Sequence, residues 1–108
     1  MVRFKHYRSG GLYGIRYWFD SVGDAIPEHA HDTTTTHNIT VLAGMVDLVR
    51  GSTHRLLTAG EVFDFDGAER HRIEAVKAAS SILNLYLNGI PPGYDTLPAH
   101  ELQGTLES

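Results

Sequence analysis

Along residues 12–87 apolar and polar positions alternate in short runs, separated by glycine and aspartate, with no sustained helical period. Leu12 to Phe19 is rich in aromatic and β-branched residues and follows Gly10 and Gly11, and Asp20 to Asp24 then reads as a turn. From His37 to Ala43, His37, Ile39, Val41 and Ala43 share one face, while Asn38, Thr40 and Leu42 share the other. That segment is a strand whose more apolar face carries a histidine.

Met45 to Arg50 follows Gly44, and Gly51 with Ser52 signals a hairpin into His54 to Leu57. Ala59 and Gly60 mark a turn before Glu61 to Phe65, and Asp66 with Gly67 turns the chain again. Arg70 to Val76 and Ser81 to Leu87 complete a series of short, closely spaced strands, the pattern of a β-sandwich or barrel. From Asn88 the composition changes: Gly89, Pro91, Pro92, Gly93 and Pro98 argue for an irregular tail over 88–108, with Ala99 to Leu102 able to form a helical turn. Thr33 to Thr36 reads as a loop or strand edge.

With 108 residues, 42% of them hydrophobic, the chain suits one domain, 1–108, with its barrel core at about 12–87. A net charge of -4 without a basic cluster argues against nucleic acid and anionic membranes as partners. The absence of cysteine excludes disulfides and thiol chemistry. Basic residues interrupt Met1 to Phe19, so no signal peptide or membrane span is expected, and a cytoplasmic location is the default expectation.

Against this background the histidines stand out. His29 and His31, at i and i+2, project from one strand face, and Pro27 two residues earlier suits an edge strand or strand start. His37 completes a three-nitrogen set if its strand runs antiparallel beside theirs; His71 shares its face with Ile73 and Ala75 and is expected to point inward. Buried histidines converging on one ion satisfy each other's burial cost, so His29, His31, His37 and His71 form a candidate metal site. An all-imidazole set suits zinc, nickel, iron or copper.

Gly23 to Gly44 resembles the first cupin motif, with Gly23, His29, His31 and Gly44 at its offsets and His37 in place of its glutamate, after a gap one residue longer than usual. Gly60 to Ala75 is similar to the second motif: Gly60 and His71 fit, whereas Asp66, Ala68 and Ala75 replace its proline, glycine and asparagine. The resemblance covers about half the chain. It implies an all-β double-stranded β-helix, or jelly-roll barrel, with His29, His31, His71 and, at the glutamate position, His37 as ligands of one divalent transition metal. It also implies a homodimer.

Four neutral imidazoles would leave the ion its full double charge, so a small anionic ligand is expected. The leading functional expectation is a metal-dependent enzyme on a small oxyanion or enolisable substrate, of dioxygenase, isomerase, cyclase or lyase type. The alternative is a non-catalytic small-molecule or metal-binding module.

The remaining chemistry-bearing residues have blander readings. His6, His54 and His100 are expected at the surface, as are Glu61, Asp64 and Asp66. Tyr13, Tyr17, Trp18, Phe19, Phe63, Phe65 and Tyr86 are expected in the core and barrel lining. Arg70 and Arg72 are expected on the face opposite His71. Asn84 and Tyr86 face water if the leucines of their strand fill the core, and otherwise line the cavity. The N-terminal strand is expected to offer an unpaired edge to another subunit.

Overall fold

In the computed structural model, the described residues are 2–9, 12–29, 36–66, 69–86 and 104–107; among the side chains outside that description are those of His6, His29, His37 and Phe65. The strands are β1 (Val2–Ser9), β2 (Leu12–Phe19), β3 (Ala25–His29), β4 (Thr36–Ala43) and β5 (Met45–Arg50), then β6 (Thr53–Thr58), β7 (Val62–Asp66), β8 (His71–Ala75), β9 (Ser80–Tyr86) and β10 (Gly104–Glu107). They form a six-stranded sheet, β10-β1-β2-β9-β4-β7, and a four-stranded sheet, β3-β8-β5-β6. Every pairing is antiparallel except β1 with β10. No helix among the described residues is long and apolar enough to cross a membrane.

Alternation explains which side of each strand is buried. Phe4 of β1, Tyr13, Ile15, Tyr17 and Phe19 of β2, Ile39 and Val41 of β4, and Ile82 and Tyr86 of β9 supply the core from the large sheet. Ile26, Val46, Leu48, Leu57, Ile73 and Ala75 supply it from the small one. Each buried Val, Leu, Ile or Phe among them contributes roughly 1.5–3 kcal/mol relative to exposure, so the two inner faces hold the sheets together. Trp18 departs from the expected core set, half-buried on the outer side of β2 with the Arg16 guanidinium 4.7 Å from its ring centroid.

The crossing from β4 to β5 fixes one end of the barrel. Gly44 has a φ of 75°, and a Cβ there would lie 2.2 Å from Ser80 Oγ. That hydroxyl accepts from the Met45 N–H at 3.0 Å and donates to the Lys77 carbonyl at 2.8 Å, tying the crossing to the start of β9. Only glycine combines this left-handed backbone with so close a neighbour.

Two expectations are corrected. The tail is not irregular throughout, because Gly104–Glu107 pairs in parallel with Val2–Lys5 of β1. The N-terminal edge is therefore not open: β2 lies between β1 and β9, and β10 covers β1. The physical reason is that Val2 and Phe4 alternate with Arg3 and Lys5, so the residues before β2 form a strand of their own.

Candidate metal centre

Strand direction gathers the chemistry at the end of the barrel remote from Gly44. Because β4 runs toward Gly44 and β5 away from it, His37 and Arg50 both lie at the far end. Tyr13 and Tyr86 belong to the same end through the register Tyr13↔Tyr86↔His37, which continues to Phe65 on β7. His71 begins β8 there, and His29 ends β3 there as its cross-strand partner.

That partnership depends on an irregularity. Ile26 pairs with Ile73 and His29 with His71, so three steps along β3 match two along β8. The extra residue makes a bulge at Pro27 and Glu28, which returns position 29 to the register parity of Ile26. Proline, lacking an N–H, suits this interruption on an edge strand, and β3 is the edge of the small sheet.

His71 is fully buried, and its Nδ1 lies 2.9 Å from the carbonyl oxygen of Glu69. A carbonyl oxygen only accepts, so Nδ1 carries the hydrogen, and in the neutral form of the ring Nε2 is the nitrogen left to bind a metal. The donor chemistry at His71 therefore fits a metal ligand. His31 lies outside the described residues, as do the side chains of His29 and His37. Among the described residues, no group of three or more His, Cys, Asp or Glu side chains is placed to hold an ion.

The condition set for His37, a strand running antiparallel beside that of His29, is not met. β3 lies in the small sheet beside β8, whereas β4 lies in the large sheet between β9 and β7. Position 37 therefore belongs to the other sheet from positions 29 and 71. Any joint action of these residues spans the barrel interior.

The wall around this end is mostly apolar. Tyr13 and Tyr86 are buried with ring centroids 5.8 Å apart, and Ile15 and Ile39 flank Asn84 on the neighbouring strands. Leu83 and Leu85 sit half-buried on the outer side of β9, so Asn84 and Tyr86 line the interior. Asn84 is 1% exposed, and its Oδ1 has no hydrogen-bond partner among the described residues.

Sequence reasoning passed over Arg50. It shares the parity of the buried Val46 and Leu48, and that spacing was the available signal. The surface expectations are met at several positions. His54 is exposed, although the β5–β6 hairpin gives its Nδ1 a contact of 2.8 Å with Asp47 Oδ2. Arg72 donates to Glu74 Oε1 at 2.6 Å, Arg70 pairs loosely with Glu28 at 3.6 Å, and Glu61 and Asp64 are exposed.

No sequence family and no curated protein matches this chain by sequence. Solved structures match most of it. The chain is similar to KdgF from Halomonas sp., at 20% identity over 89% of this chain and 83% of that one, with a TM-score of 0.73. An RmlC-like cupin from Desulfovibrio desulfuricans has 20% identity over 81% of each chain and a TM-score of 0.67. A protein from Thermotoga maritima described as a predicted oxalate decarboxylase has 20% identity over 79% of this chain and 78% of its own, at 0.68. The fold is that of the cupins, an all-β jelly-roll barrel.

Proposed function

We propose that this protein is a metal-binding cupin that acts as an enzyme on a small oxyanion or enolisable compound, with His29, His31, His37 and His71 as the ligand set. The observation that carries the reading is the buried His71, held in its ligating tautomer by the Glu69 carbonyl and paired across strands with His29 at a bulge. A divalent transition ion there supplies Lewis acidity toward a bound oxygen or, if redox-active, one-electron chemistry.

The chain's own groups divide the remaining work. Glu69 orients the His71 ring through its backbone. Tyr13, Tyr86 and Ile39 form an apolar wall that limits water beside the substrate. Asn84 Oδ1 is a neutral acceptor, suited to orient a hydroxyl or enol hydrogen rather than to remove a proton.

A second reading, a non-catalytic module holding a small molecule, has its own support. The buried polar side chains among the described residues are His71, Ser80, Ser81 and Asn84, and none is a carboxylate able to act as a general base. A panel of small carboxylates and diketones offered to the metal-restored protein separates the two. Metal-dependent turnover supports the enzyme, tight binding without turnover supports the module, and neither binding nor turnover contradicts both.

A further inference from the structure

We propose that Arg50, braced on Phe63, is a carboxylate-binding subsite at the histidine end of the barrel. The proposal rests on the reading of that end as a small-molecule site, and it names the group by which the molecule is held.

Arg50 reaches this place by register. Leu48 pairs with Ile73 and Val49 with Arg72, which leaves Arg50 next in line to His71. Its parity with Val46 and Leu48 sends the side chain toward the interior rather than the outer face. The guanidinium carbon lies 4.6 Å from the ring centroid of Phe63, on the edge strand β7 of the other sheet. The side chain thus spans the gap between the sheets, and stacking fixes the plane of its donors.

The donors of this guanidinium are only partly used. Nη1 lies 3.6 Å from Glu69 Oε1, a loose pair between side chains 26% and 39% exposed. Nε is buried and has no hydrogen-bond partner among the described residues. A guanidinium fork with a buried, unused Nε–H matches a planar carboxylate, which accepts two parallel hydrogen bonds. Arg55 adds a second guanidinium 5.4 Å from the same ring.

Glu69 links the subsite to the candidate metal ligand. Its carboxylate faces Arg50 while its carbonyl holds His71. A carboxylate taken up by Arg50 therefore lies beside the His71 position, where the rest of the same molecule meets the proposed metal.

The test is calorimetric titration of the full chain, metal-free and metal-loaded, with formate, acetate, pyruvate and benzoate, and with methyl pyruvate as the uncharged control. Wild type is expected to bind at least one of the carboxylates and to discriminate against methyl pyruvate. Arg50→Gln is expected to lose about ten- to a hundredfold in affinity for that carboxylate. Arg50→Lys should keep part of it, and Arg72→Gln, altered on the outer face, should match wild type. All variants should bind the same amount of metal and melt cooperatively, which separates loss of the subsite from loss of the fold.

Wild-type affinity in Arg50→Gln, equal binding of pyruvate and methyl pyruvate, or no carboxylate binding by wild type overturns the proposal. Arg50-dependent binding by a chain that takes up no metal leaves the subsite standing and removes the metal reading alone.

Discussion

His29 and His71 are cross-strand partners because β3 spends one more residue than β8 between this pair and Ile26↔Ile73. Without the bulge, strict alternation over three steps would give positions 26 and 29 opposite parity. The bulge sits where the chain leaves the small sheet, and the Glu69–His71 hydrogen bond fixes the ring of the partner residue. Backbone irregularity and side-chain tautomer together set up the histidine end.

Gly44→Ala is expected to destabilise the protein strongly. The substitution places a Cβ 2.2 Å from Ser80 Oγ at a backbone φ of 75°. Strain and overpacking together cost about 2–4 kcal/mol. A melting temperature lower by on the order of 10 °C or more is the expected reading, and an unchanged one would contradict the assigned backbone.

Asn84→Leu is expected to be neutral or stabilising, by up to about 2 kcal/mol, because an acceptor buried without a hydrogen bond is replaced by an apolar side chain of similar size. Ligand binding should fall in the same variant. Denaturant unfolding and a binding titration check the two halves, and a large loss of stability would mean that Asn84 is a structural hydrogen-bonding residue.

Glu61 gives the stability a local pH dependence. Its carboxylate accepts from the Thr58 N–H at 2.8 Å and from the Thr58 hydroxyl at 2.9 Å, which lowers its pKa from 4.5. The folded value lies below the unfolded one, so the contribution is present above the unfolded pKa and lost as pH falls through the folded pKa. Glu61→Gln should therefore melt below wild type at pH 7 and approach it at pH 3. A difference that stays constant between those pH values would show that the carboxylate charge has no part in this turn.

Much of the barrel is legible because its strands are buried on one side. Alternation at Ile39 and Val41, or at Ile73 and Ala75, reports that asymmetry directly. His71 is legible for the same reason, sharing the parity of two buried residues.

Pairing is less legible, because it depends on contacts distant in sequence. The union of β3 with β8, and the membership of β3 and β4 in different sheets, leave no local mark in the sequences of those strands. The bulge hides behind Pro27, which reads equally well as a strand start. Arg50 escapes notice because an arginine before a hairpin turn resembles a solvated strand end until Phe63 is found across the barrel.

The most direct measurement is the metal content of tag-free protein by elemental analysis, in wild type and in His29→Ala and His71→Ala. About one divalent transition metal per chain is expected in wild type, and its loss from both variants while they remain folded. Full metal retention in either variant, or wild-type protein that takes up no metal when zinc, nickel, iron and copper are offered in turn, would contradict the metal assignment.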